Sequence, residues 1–118
     1  MKDLTIYHNP RCSKSRQTLQ IIKDHGIKPT IVEYLKTPLE KFDLENISRL
    51  LNKRPKDFVR KNEADFKENN IKDIIENDAE LINEMAKFPK IIERPIVISR
   101  NRGVIGRPPE SVLELLNS

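Results

Sequence analysis

Leu4, Thr5, Ile6 and Tyr7 form a short β-prone run, which Asn9 and Pro10 interrupt with residues that belong to turns. From Cys12 the period changes: Cys12, Ser15, Leu19 and Ile22 recur every three or four positions. That spacing predicts one face of a helix, closed by Gly26 and Pro29. Residues 30–35 (TIVEYL) alternate and are rich in β-formers, predicting a second strand. Strand, helix and strand make a βαβ unit, so the two strands are expected to be parallel with a right-handed crossover.

In the middle of the chain, Thr37, Pro38 and Glu40 match a capping box with proline at the first helical position, and Asp43 is a competing start. Either start yields a helix carrying Leu44, Ile47, Leu50 and Leu51. Pro55 is expected to open a short helical piece containing Phe58, Val59 and Arg60, and the polar residues 61–70 to form a loop. Ile71, Ile74 and Ile75, then Leu81, Ile82 and Met85, keep helical spacing on either side of Asn77 and Asp78. Asp78 is a candidate cap. Residues 96–99 (IVIS) and 103–106 (GVIG) flank a turn through Asn101 and read as a β-hairpin. Pro108, Pro109 and Glu110 lead into a last helix with Val112, Leu115 and Leu116 on its inner face.

The order is therefore βαβ, a block of helices, then ββα. A parallel pair followed by an antiparallel hairpin and a closing helix makes an α/β fold with a four-stranded mixed sheet flanked by helices, the layout of thioredoxin-like domains. The helical block at 38–88 is expected to be an insertion in a single domain spanning 1–118. No internal repeat, low-complexity segment or Gly/Ser-rich linker divides the chain.

Composition narrows the chemistry. With one cysteine in 118 residues, the chain can form neither an intrachain disulfide nor a multi-cysteine zinc site, which suits a reducing cytoplasm. It shows no signal-peptide pattern and no apolar run of about 18 residues, so a soluble protein away from the membrane is expected. The 22 basic and 18 acidic residues are spread throughout, and the net charge of +4 suits a small anion better than a long polyanion. Nucleic-acid binding calls for a basic stripe interleaved with stacking aromatics, and only six aromatics are present.

Cys12 is the residue with the strongest chemical claim. At a helix start the backbone N–H groups are unpaired and carry partial positive charge, which favours a thiolate. Lowering a thiol by about two units from its ordinary ~8.5 takes roughly 2.7 kcal/mol, whereas a helix terminus supplies ~0.3–1 and at most ~2. At least one cation must help, and Arg11, Lys14, Arg16 and His8 are close in sequence. The competing reading is a small buried hydrophobe, the usual fate of a free cysteine.

The chain also resembles the glutaredoxin-coupled arsenate reductases over nearly its whole length. Their HNPxCxxSR loop is matched by His8, Asn9, Pro10, Cys12, Ser15 and Arg16. Arginines in the middle helical block, an ERPI segment and a GRPPE segment correspond to Arg60, Arg94 and Arg107. The resemblance implies Cys12, His8 and Ser15 as the catalytic group, with His8 helping electrostatically to keep Cys12 ionised. It further implies arsenate held by Arg60, Arg94 and Arg107, no metal or bound cofactor, and a cis Arg94–Pro95 bond. Arginine suits the task because it stays charged and offers a planar fork of donors to an oxyanion that a thiolate must approach.

The mechanism implied is attack of Cys12 on arsenic, entry of glutathione as second thiol and co-substrate, release of arsenite, and resolution of a mixed disulfide by glutaredoxin. A single cysteine agrees with this, since two electrons require two thiols. It also excludes the phosphatase-like arsenate reductases with their Cys-x5-Arg loop, because the sixth residue after Cys12 is Thr18. Two alternatives share the fold. One is a glutathione-dependent thiol reductase acting on another substrate. The other is a redox-linked transcription regulator whose disulfide switch needs a second cysteine, where this chain has Asn9 and Ser15. A monomer is expected.

Overall fold

The structure, a computed structural model, describes residues 3–117. In chain order it contains β1 (Thr5–Tyr7), α1 (Ser13–Asp24), β2 (Thr30–Val32), α2 (Lys41–Leu51), α3 (Ala64–Glu68), α4 (Asp78–Lys87), β3 (Ile96–Ile98), β4 (Gly103–Ile105) and α5 (Leu113–Leu116). Short 3-10 turns lie at Pro55–Asp57, Ile71–Ile74, Pro89–Ile91 and Pro109–Val112. The chain forms two compact units, one made of Met1–Thr37 with Arg94–Ser118 and the other of Pro38–Glu93.

The first unit holds the sheet, in the order β2-β1-β3-β4. β1 runs parallel to β2 with Ile6 opposite Ile31, and antiparallel to β3 with Ile6 opposite Val97; β3 and β4 form the expected hairpin. The predicted four-stranded mixed, thioredoxin-like sheet is therefore present. Its core gathers Leu4, Ile6, Ile22, Val97, Val104, Val112 and Leu115, against which Leu19, Ile21, Ile27 and Leu116 pack. Each fully buried aliphatic side chain contributes about 1.5–3 kcal/mol relative to exposure. That is what joins α1 and the C-terminal turn to one face of the sheet.

α1 ends as its sequence predicts. Gly26 adopts φ 76° and its N–H donates to Lys23 O at 2.9 Å, a left-handed close that glycine enters without a Cβ penalty. The face of α1 differs from the predicted one. Ser15, Thr18 and Ile22 are buried, while Leu19 is only partly so. Thr18 can enter the interior because its hydroxyl donates to Lys14 O at 2.8 Å, one turn back, and so is not left unsatisfied.

In the second unit α2 starts at neither predicted cap. Glu40 is the N-cap, and its own N–H donates to the Asp43 carboxylate at 2.9 Å. Asp43 thus closes the first turn from three residues inside rather than opening the helix. Leu44, Ile47, Leu50 and Leu51 are buried as predicted, and α2 packs on α4. α4 is capped by Asn77, whose side chain accepts from Glu80 N–H at 3.0 Å, so Asp78 is its first residue and not its cap.

Two further expectations are corrected here. The helical piece opened by Pro55 stops at Asp57; Val59 instead bridges Ile92, and Arg60 N–H donates to Ile91 O. The polar run expected as loop contains α3, because Phe66 is buried and one apolar anchor suffices to order a single helical turn. Ile71–Ile74 is a 3-10 turn entered through Asn70 at φ 53°, a left-handed position that asparagine tolerates.

Gly106 sits where the hairpin passes α1. A Cβ added there would lie 2.5 Å from Thr18 Oγ1 and 2.7 Å from Pro95 Cγ. Gly106→Ala is expected to destabilise the fold by about 1–3 kcal/mol through overpacking. Thermal unfolding followed by circular dichroism checks this, and an unchanged midpoint would show that the neighbours yield without cost.

Candidate active site

The site grows from the end of β1. His8 N–H donates to Val32 O at 2.8 Å, carrying the strand ladder one residue past Tyr7 before the chain turns. Asn9 makes the turn. Its side-chain carbonyl accepts Arg11 N–H at 3.0 Å, and its backbone carbonyl accepts Cys12 N–H at 3.0 Å. Cys12 is then the N-cap of α1 in extended conformation, and its carbonyl accepts the first helical bond from Arg16 N–H at 3.0 Å. The predicted handover from strand to helix at this residue is thus observed.

Cys12 is half-buried rather than packed away as a core hydrophobe. Desolvation pushes its thiol up, yet the net shift is below the ordinary value, because the N–H of Ser15, the Arg94 guanidinium, the charge of Arg107 and the N–H of Lys14 all favour the thiolate. Arg107 Nη2 donates to Cys12 Sγ at 3.6 Å while its Nε donates to Arg94 O at 2.7 Å, which fixes the guanidinium toward the sulfur. The cations that act on the thiol therefore come from distant segments. The flanking Arg11, Lys14 and Arg16 are exposed, and Arg16 donates to Pro10 O at 2.9 Å, bracing the turn.

Both arginines precede prolines in cis linkage, Arg94–Pro95 and Arg107–Pro108. The first agrees with the resemblance. The second carries no signal in the sequence beyond the proline itself. Burial works against the charge of Arg94, but Tyr34 and Cys12 favour it, so its pKa is raised and it stays cationic. Tyr34, at 0% exposure, is a residue of this neighbourhood that the strand pattern treats only as a β-former.

His8 and Ser15 are both buried. His8 Nδ1 and Ser15 Oγ lie 2.6 Å apart, and Ser15 Oγ also accepts Asn9 N–H at 3.1 Å. Desolvation lowers the His8 pKa; Glu33 opposes that, and Lys23 and Arg16 add to it. The ring is then neutral at pH 7, since its ordinary value is only about 6.5. Burial thus disfavours a charged His8 ring, while the ring holds Ser15 and Ser15 holds the turn.

The first unit brings together Cys12, His8, Ser15, Arg94 and Arg107. Arg60 belongs to the second unit, where its guanidinium pairs with Glu63 at 3.2 Å and Glu93 at 2.9 Å, all three side chains about one quarter exposed. Among the described residues no group of three or more His, Cys, Asp or Glu side chains could hold a metal ion. None of the described helices is long and apolar enough to cross a membrane.

The chain is similar to known proteins in sequence and in fold. The chain is 42% identical over 98% of its length to the uncharacterized protein YfgD of Escherichia coli K12, covering 98% of that protein. It is 39% identical to the arsenate reductase of Haemophilus influenzae, covering 94% of this chain and 97% of that one. The solved arsenate reductase of Vibrio cholerae superposes with a TM-score of 0.91 at 40% identity, over 96% of this chain and 97% of that one. The model of the ArsC family matches residues 7–115, nearly the whole described chain including the turn that presents Cys12, and the protein belongs to that family.

Proposed function

We propose that this protein is an arsenate reductase, an oxidoreductase that converts arsenate to arsenite through Cys12 with electrons from glutathione and a glutaredoxin. The observation that carries the reading is a thiol at the N-cap of α1 with Arg107 Nη2 at 3.6 Å from its sulfur. Such a site favours two anions at once. The helix terminus and the guanidinium favour the thiolate, and Arg94 and Arg107 are the cations that an oxyanion approaching the sulfur would meet. The arsenate reductases of similar sequence support the choice of oxyanion.

In the proposed sequence Cys12 Sγ forms a bond to As(V), and one arsenate oxygen leaves as water after protonation. Negative charge accumulates at arsenic in the transition state, where preorganised guanidinium donors stabilise it more than they stabilise the ground state. Glutathione then bonds to arsenic with loss of a second water. Two electrons pass to arsenic, giving As(III), while two thiols are oxidised to one disulfide. Since this chain has one cysteine, the second thiol comes from outside, and glutaredoxin is the thiol that clears the resulting mixed disulfide. Arg60 is the third anion ligand of this reading, and it would have to exchange Glu63 and Glu93 for the oxyanion.

Oxidation of NADPH in the presence of arsenate, glutathione, glutaredoxin and glutathione reductase tests the proposal, and turnover is expected to require each component. Activity independent of glutathione and glutaredoxin would reject the coupling, and no arsenate-dependent activity would reject the substrate. Cys12→Ser is expected to retain less than about a tenth of wild-type turnover, while Arg107→Gln should lose about 10–100-fold in kcat/KM for arsenate, the worth of a hydrogen bond to a charged group.

Thiol reactivity gives an independent check. Since the folded Cys12 pKa is lowered, iodoacetamide alkylation should reach half its maximal rate below the ordinary thiol value of about 8.5, and Arg107→Gln should move that midpoint upward. A wild-type midpoint above that value would reject the activated thiolate.

A further inference from the structure

Beside the active-site turn lies a cavity of about 350 Å³ within the first unit, lined by His8, Asn9 and Arg11 of the turn and by Glu33, Leu35 and Lys36 after β2. We infer that this cavity seats the γ-glutamyl end of glutathione, a thiol peptide with one ammonium and two carboxylates. The inference rests on the proposed need for an external thiol and assigns that thiol a place.

Three observations carry it. Small-molecule sites span roughly 300–1,000 Å³, so the cavity suits part or all of a tripeptide and is far larger than a tetrahedral oxyanion requires. Its charged groups complement the ligand: Arg11 and Lys36 offer two cations to two carboxylates, and Glu33 offers one carboxylate to one ammonium. Leu35, at 37% exposure one of few large apolar side chains left open among the described residues, offers contact to the ligand's methylene chain.

Lys36 Nζ and Glu33 Oε1 lie 3.4 Å apart, with side chains 78% and 38% exposed. An ion pair so open to water contributes little, so a zwitterion can exchange it for two ligand contacts without a large penalty. Position completes the case. Arg11 lines the cavity and immediately precedes Cys12, so their Cα atoms are about 3.8 Å apart, and an extended tripeptide spans about 10 Å. A ligand anchored at Glu33 and Lys36 is long enough to run along the turn as far as Cys12, the residue after Arg11, where its own thiol would meet arsenic.

The test uses S-methylglutathione, which keeps every charge but cannot bond arsenic. Titrated into 15N-labelled protein without arsenate, it is expected to shift the amides of His8, Arg11 and residues 33–36, and a Glu33→Gln, Lys36→Gln double variant should lose those shifts. In the coupled assay the double variant should raise KM for glutathione about tenfold, with KM for arsenate and the Cys12 alkylation rate unchanged. Shifts confined to other residues, or an unchanged KM for glutathione beside normal turnover, would overturn the cavity assignment alone. Shifts at the cavity in a protein that does not reduce arsenate would uphold the assignment and reject the proposed activity. Absence of both would overturn both.

Discussion

A thiol half-withdrawn from water ionises only where positive charge helps it, and the arrangement around Cys12 favours ionisation from more than one side. Desolvation alone would hold the proton on sulfur. The opposing contributions are two N–H groups of the first turn of α1 and two guanidiniums. Remove the helix start and the sulfur loses its donors. Remove the arginines and the helix terminus, worth at most ~2 kcal/mol, is left to offset burial alone.

Much of the first unit serves to keep these groups in register. β1 must end at Tyr7 so that His8 can bond Val32 and Asn9 can turn the chain, and Ser15 then ties His8 and Asn9 to the helix from inside. On the opposite approach, Arg107 reaches the sulfur while gripping Arg94 O. Gly106, immediately before it, is small enough for the hairpin to pass Thr18 and Pro95. The turn is thus held by its own hydrogen bonds, with Arg107 Nη2 3.6 Å from the sulfur it presents.

The second unit presents a different electrostatic situation. Arg60 there faces two carboxylates, and in Pro38–Glu93 another cluster joins Arg54 to Glu76 and Asp78 and Lys56 to Glu76, at exposed positions apart from the half-buried Lys56. Such exposed pairs add little to stability, so the unit depends on Leu44, Ile47, Leu81, Met85 and their neighbours.

Local signals in the chain were enough to specify the βαβ and ββα elements, the hairpin, the close of α1 at Gly26 and the placement of Cys12 at a helix start, because each depends on neighbours within a few residues. The family motif around Cys12, Arg94 and Arg107 was likewise readable by resemblance. Tertiary structure decided what local signals cannot carry. It buried His8, which disfavours a charged ring, and it put Thr18 rather than Leu19 fully inside. It ordered α3 around the single anchor Phe66, and set Tyr34 against Arg94. Above all it chose which of nine arginines meet the sulfur, selecting Arg94 and Arg107 over the flanking Arg11 and Arg16. A charge acts through distance in space, and only the folded sheet brings residues so far apart in the chain to one atom.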